Sequence, residues 1–248
     1  MKIQLEIDGG VAWIWFVDPK GHNPMGFQFF DELEQALHTV SENSQVRAAI
    51  FATKEKNLSV GLDLKEFANA QPQDLGKVME VATRVFGKVT GLSVPTLCLF
   101  KGLTVGGALE MGIGCDFRIA AEDARISVPG VKIGIFNPAG TCFNLPRLIG
   151  IARSKELLMS VKMIDASTAK EWGLVQDVVA AEDIFESAKD WAQNILSMDP
   201  QALKSTKFLI ENSYNNTLSS FLELEKKETN VCVVREEPLR LMKNFWKK

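Results

Sequence analysis

Histidine and tyrosine are almost missing from this 248-residue chain, which holds only His22, His38 and Tyr214. Two histidines cannot build a multi-histidine metal site, and a Ser-His-Asp triad would have to recruit one of them. His38 closes the helical pattern that begins at Phe29, where a solvated or packing role is expected. Tyr214 sits in a polar Ser-Tyr-Asn-Asn segment, which argues against an active-site tyrosine acid. Cysteine is sparse and scattered: Cys98, Cys115, Cys142 and Cys232 form no C-x-x-C pair. Each stands among apolar residues and is expected to be a reduced core thiol. Long apolar runs are lacking too. The longest, such as residues 11–17, fall far short of a bilayer span, and the N-terminus shows no secretory h-region, so a cytoplasmic protein is expected. Nor is there a surplus of basic charge. Lys and Arg number 28 against 31 Asp and Glu, a net charge of −3. No global field then draws the chain to nucleic acid or anionic lipid.

What is present describes an ordinary globular protein with a sizeable core, with 46% hydrophobic and 24% charged residues. Short β-branched and aromatic runs at 3–7, 11–17, 48–52, 95–100 and 117–120 read as strands. Helical periodicity covers 26–41, 73–91 and 105–114. Alternating strands and helices imply a layered α/β fold. Beyond residue 140 the pattern turns helical. One helix is expected over 145–159 and a short one over 168–172, with Thr168 and Glu171 as a capping box. A strand over 174–179 and helices over 182–198, 200–209 and from 217 onward follow, Asp199-Pro200 supplying an N-cap and an N1 proline. The domain reading is an α/β core over 1–190 and a helical region over 191–248.

Three stretches could carry chemistry. Asn57-Leu58-Ser59-Val60-Gly61-Leu62-Asp63-Leu64-Lys65-Glu66 is a loop after a strand that opens a helix, leaving backbone N–H groups free at its end. A plain capping loop with Asp63 as N-cap explains it equally well. Lys101-Gly102-Leu103-Thr104-Val105-Gly106-Gly107-Ala108-Leu109-Glu110 runs from a strand through paired glycines into an apolar helix. Glycine is costly inside helices, so its density from 106 to 114 points to close packing or a ligand. Glu110 stands in a run of Ala, Leu, Met and Gly. Burial there would raise its pKa towards a range useful for proton transfer, whereas the bland alternative puts it on a polar helix edge. The third stretch, from Ala124 through Pro129-Gly130 to Asn137-Pro138-Ala139-Gly140, is a strand followed by turns.

Taken together, these stretches resemble the crotonase (enoyl-CoA hydratase/isomerase) superfamily in order and spacing. Asp18-Pro19-Lys20-Gly21-His22-Asn23-Pro24-Met25 resembles its P-K-x-x-N-A-L segment, and Ser59-Val60-Gly61-Leu62-Asp63-Leu64-Lys65-Glu66 its S-A-G-x-D-L-K-E loop. Gly106-Gly107-Ala108-Leu109-Glu110 is similar to G-G-G-x-E, and Cys115-Asp116-Phe117-Arg118-Ile119-Ala120 to C-D-x-x-I-A. The resemblance implies a spiral of β-β-α units with a C-terminal helical oligomerisation layer, as a homotrimer or dimer of trimers. It implies an acyl-CoA thioester substrate, coenzyme A being part of that substrate, and no separate cofactor or metal. Carried over, Val60 and Gly107 would supply the two amides of an oxyanion hole, and Glu110 the acid/base. Lys20, Ser59, Gly61, Leu62, Asp63, Leu64, Gly106, Gly130 and Asn137 would line the substrate site. The pocket wall is expected from 73–91 and 135–143.

One departure changes the chemistry. Hydratases of the family carry a second Glu after the proline, where Gly130 stands here, so Glu110 is the sole retained acid/base. A lone carboxylate suits a double-bond shift, and hydration less well. Decarboxylation of a malonyl-CoA-type substrate is an alternative, although Leu62 stands where such enzymes offer histidine. A non-catalytic acyl-CoA binder is another. An RNA-binding relative uses a lysine-rich first helix, but the segment from Asp31-Glu32 onward is acidic here and would repel phosphate.

Overall fold

The computed structural model describes residues 1–245. The chain divides into two compact units, Met1–Ile195 and Leu196–Lys248. The strands are β1 (Ile3–Asp8), β2 (Val11–Phe16), β3 (Ala48–Thr53), β4 (Thr96–Phe100), β5 (Leu103–Val105), β6 (Phe117–Ala121), β7 (Arg125–Ser127), β8 (Ile164–Asp165) and β9 (Asp177–Val179). The helices are α1 (Phe27–Glu42), α2 (Leu64–Phe67), α3 (Pro72–Thr90), α4 (Gly107–Gly114), α5 (Thr141–Ile149), α6 (Ile151–Met159), α7 (Ala166–Glu171), α8 (Ile184–Ser197), α9 (Pro200–Asn212), α10 (Leu218–Val233) and α11 (Glu236–Phe245).

The first unit holds a six-stranded sheet in the order β1-β2-β3-β4-β6-β9 and a smaller one in the order β5-β7-β8. Only the β1–β2 hairpin of the large sheet is antiparallel, and every later pair is parallel. Every residue of β3 and β4 is buried, which is why both read as unbroken apolar runs: parallel strands are covered on two faces. The helices instead show periodic patterns because one stripe faces inward. In α1 the buried positions are Phe29, Phe30, Leu33, Ala36, Leu37 and Val40, and in α3 they are Val78, Ala82, Val85, Phe86 and Val89. The two helices pack on each other, and Glu34 of α1 pairs with Arg84 and Lys88 of α3. Isolated bridges Met25–Leu62 and Ser59–Thr104 tie the loop before α2 to its neighbours, which fixes that loop for the site below.

Several expectations need correction. The helix expected over 145–159 is two, α5 and α6, parted at Gly150, whose φ of 80° and ψ of 160° interrupt the helical path. Thr168 does not cap α7. Asp165 does, accepting the Thr168 N–H at 2.8 Å, because the helix begins a turn earlier. Only the last three residues of the expected strand over 174–179 pair with β6. Cys98 and Cys115 are buried thiols as expected, but Cys142 is exposed and Cys232 half-buried. Cys142 lies beside the exposed Phe143 on α5, where apolar neighbours in sequence do not mean a buried face.

In the second unit, Asp199 caps α9 by accepting the Ala202 N–H at 2.8 Å and holds Arg235 at 2.7 Å. Ser205 of α9 donates to the Glu228 carboxylate of α10 at 2.6 Å. Neither α10 nor α11 contains a buried residue. Among the described residues no helix is long and apolar enough to cross a membrane.

Candidate active site

The loop before α2 is held by buried polar side chains. Asn57 donates to the Gly21 carbonyl at 2.7 Å and accepts the Leu103 N–H at 2.9 Å. Ser59, wholly buried, donates to the Asn23 carbonyl at 2.6 Å and accepts the Gly61 N–H at 3.0 Å. Ser59 therefore braces the turn, and its side chain is not available to a substrate.

The expected oxyanion donor Val60 is likewise occupied: its N–H donates to the His22 carbonyl at 2.9 Å. Two residues on, the geometry reverses. Met25 donates to the Gly61 carbonyl at 2.9 Å, and Asp63 donates back to the Met25 carbonyl at 3.1 Å. In such a parallel bridge the residue between the two bonds turns its own amide to the other side. Accordingly the Leu62 N–H meets no acceptor among the described residues, and Leu62 lines the cavity. The free amide of this loop is that of Leu62, not Val60. Sequence offered no signal for this, since the choice depends on which loop residues pair with His22 and Met25.

The second strand-to-helix turn sits against the first. Gly106 adopts φ 55° and ψ −119°, a conformation that side chains resist, and donates to the Ser127 carbonyl at 2.9 Å. That twist starts α4 at Gly107, whose N–H has no acceptor within the helix and stands at its positive end. The two turns nearly touch: a Cβ on Gly61 would lie 3.0 Å from the Val105 carbonyl oxygen and 3.5 Å from the Gly106 Cα. A Cβ on Gly107 would lie 2.7 Å from the Met25 sulfur.

These turns open onto a cavity of about 250 Å³. Met79, Ala82 and Phe86 of α3 form one wall, with Ile133, Ile135 and Phe136 on another. Met25 and Phe30, which sequence reasoning did not single out, also line it. Glu110 enters from α4 and is 8% exposed. Its carboxyl makes no hydrogen bond or ion pair among the described residues, and burial alone pushes its pKa up to about 8. It is the only carboxyl group among the described residues lining the cavity. Of the expected site residues, Val60, Gly61, Leu62, Leu64, Gly106, Gly107, Glu110, Gly130 and Asn137 line this cavity, whereas Lys20, Ser59 and Asp63 do not. Asp63 instead caps α2, accepting the N–H groups of Lys65 and Glu66.

Gly130 explains why a second acid is missing. A Cβ there would lie 2.7 Å from the Asn137 Oδ1 and 2.8 Å from the Ile135 carbonyl oxygen. The space of a side chain is taken by a neutral amide and by backbone.

Two strand-to-helix turns on a mostly parallel sheet, whose free amides share one cavity with a buried carboxyl, define a protein of the crotonase class. A family model described as enoyl-CoA hydratase/isomerase matches residues 6–237. The chain is 29% identical over 248 residues to the short-chain-enoyl-CoA hydratase of Clostridium acetobutylicum, covering 100% of this chain and 95% of that one. It is 30% identical over 222 residues to enoyl-CoA hydratase domain-containing protein 2, mitochondrial, of Mus musculus, covering 88% and 75% of the two. An enoyl-CoA hydratase structure from Bacillus anthracis superimposes with a TM-score of 0.95 at 28% identity, over 100% of this chain and 96% of that one. The chain belongs to the enoyl-CoA hydratase/isomerase family of acyl-CoA enzymes.

Proposed function

We propose that the protein shifts a double bond in an enoyl-CoA thioester, with Glu110 as the only proton carrier. The single observation that carries this reading is the lone buried carboxyl in an apolar cavity, with no second acid opposite it. The thioester oxygen accepts from the Leu62 and Gly107 amides. Ionised Glu110 removes a proton from C2 of a 3-enoyl thioester, and the electron pair delocalises onto the thioester oxygen as a dienolate. The carboxyl then returns the proton to C4, leaving the 2-enoyl product and an ionised Glu110. Each fixed amide donor is typically worth about 10²–10³ in rate. Water addition needs a proton donor for C2 beside the base for water, and a lone group that must serve as both forfeits part of about 10²–10⁴.

A second reading is favoured by one feature. At neutral pH Glu110 is mostly protonated, which suits delivery of a proton to an enolate left by loss of CO₂ from a malonyl-type thioester. Leu64, exposed where it lines the cavity, would contact the pantetheine arm in either case. We further propose that the exposed apolar side chains of α10 and α11 are covered by other copies of the chain, in a trimer or a dimer of trimers.

The test is product analysis by mass spectrometry in D₂O with 3-enoyl, 2-enoyl, 3-hydroxyacyl and malonyl thioesters. An allylic shift with deuterium uptake, lowered about 10²–10⁴-fold in Glu110→Gln, is expected. CO₂ release would establish the second reading. Full isomerase activity in Glu110→Gln would refute the role given to Glu110.

A further inference from the structure

Asn137 is 4% exposed and lines the cavity, yet its carboxamide hydrogen-bonds to no protein group among the described residues. Its polar atoms meet the open space of the cavity, so a ligand that fills this space without supplying an acceptor strips them of water at a cost. Its Oδ1 points at Gly130, lying 2.7 Å from where a Cβ would be while its Cγ lies at 3.7 Å, so the Nδ2 donor is the farther end of the amide. Lys132 lines the same cavity from the turn that begins at Gly130, and its ammonium makes no ion pair among the described residues. The wall is otherwise apolar apart from backbone and Glu110, whose carboxyl carries little charge at neutral pH. The exchange of an acid for Gly130 and Asn137 thus removes a negative charge from one side of the cavity. It leaves a hydrogen-bond donor and a cation without partners.

We infer that Asn137 is a specificity-determining residue that, with Lys132, selects acyl thioesters whose chain bears a second carboxylate over plain hydrocarbon chains. This inference rests on the acyl-CoA reading of the site and names its substrate class. A carboxylate on the acyl chain accepts from the Asn137 Nδ2 and pairs with the Lys132 ammonium, both of which a hydrocarbon chain would leave unmatched. An aliphatic tail pressed against the carboxamide strips it of water without replacing the lost hydrogen bond. A site built around a hydrogen bond discriminates in this way against the analogue that lacks it. A second acid facing the same space would repel such a chain.

Binding of glutaryl-CoA and pentanoyl-CoA, measured by isothermal titration calorimetry on the full chain, separates the outcomes. The two saturated chains have equal carbon counts, with no double bond to move and no β-carboxylate to lose. Glutaryl-CoA is expected to bind on the order of 10- to 100-fold more tightly. Asn137→Leu is expected to reduce that ratio towards unity by weakening glutaryl-CoA and strengthening pentanoyl-CoA. Lys132→Ala, a change at an exposed residue, is expected to weaken glutaryl-CoA alone, and serves if the first variant fails to fold. Equal affinities, or a preference for pentanoyl-CoA, in the unaltered protein would overturn the inference while leaving the acyl-CoA reading in place. Failure of both thioesters to bind would remove the two together.

Discussion

A carboxyl group among methyl, thioether and phenyl groups is easier to protonate than one in water, and at Glu110 this has two measurable consequences. In activity, the base form grows as pH rises towards about 8, so kcat/KM for proton abstraction should climb roughly tenfold per unit below that value and level off above it. In stability, the folded pKa lies above the ordinary glutamate value of 4.5, so the folded state holds the extra proton between 4.5 and about 8. Stability is therefore lost across that window as pH rises, by an amount on the order of 5 kcal/mol once Glu110 is fully ionised. Glu110→Gln should raise the melting temperature relative to the parent at pH 9 and bring little change at pH 4. A variant whose advantage did not grow with pH would show that this burial penalty is not present. Gly130 invites the opposite experiment. Gly130→Glu should not create a second acid, since the new Cβ meets the Ile135 carbonyl oxygen at 2.8 Å, an atom that no rotamer change removes. The expected outcome is lower activity and no gain of hydration. Replacing Asn137 as well should not rescue it.

At the scale of elements, α4 shows how an exact fit replaces propensity. A Cβ on Gly112 would lie 2.4 Å from the Phe100 ring of β4, and one on Gly114 2.7 Å from the Thr90 hydroxyl of α3. Gly112→Ala should therefore destabilise the fold by about 1–3 kcal/mol, although alanine is the better helix former, and urea unfolding would measure it. A stabilised variant would mean that Phe100 yields easily and that the glycine has some other cause. Much of this was legible beforehand. The apolar runs of β3 and β4 and the stripes of α1 and α3 are imposed by burial, and burial is written in residue type. The glycine density around Glu110 marked close packing correctly. What could not be read depends on pairing between distant segments. Whether Val60 or Leu62 keeps a free amide is decided by the His22 carbonyl and by the pairing with Met25, and whether Ser59 faces a ligand is decided by the Asn23 carbonyl. Gly150 likewise breaks a helix that its neighbours' propensities would carry through, because its backbone is held at φ 80°.

At the scale of the whole molecule, the second unit poses a physical problem that a single chain leaves unsolved. Leu218, Val234, Leu239, Met242 and Phe245 are each more than 60% exposed, and α10 and α11 bury none of their residues. Scattered apolar side chains on a surface need no explanation, but several on consecutive helices present an area that water disfavours. Burial returns roughly 25 cal/mol for each Å² removed from water, and identical copies commonly supply the cover in closed symmetric assemblies. The mass in solution should then be three or six times the chain mass of 27.5 kDa, by light scattering at micromolar concentration. Leu239→Glu combined with Met242→Glu should lower that mass while leaving the circular dichroism of the first unit's strands in place. Loss of assembly should also lower the melting temperature and make it insensitive to protein concentration, because mass action no longer contributes to stability. A parent protein that ran as a monomer, with both carboxylates tolerated and no change in melting, would show instead that these helices are stable with their apolar side chains in water.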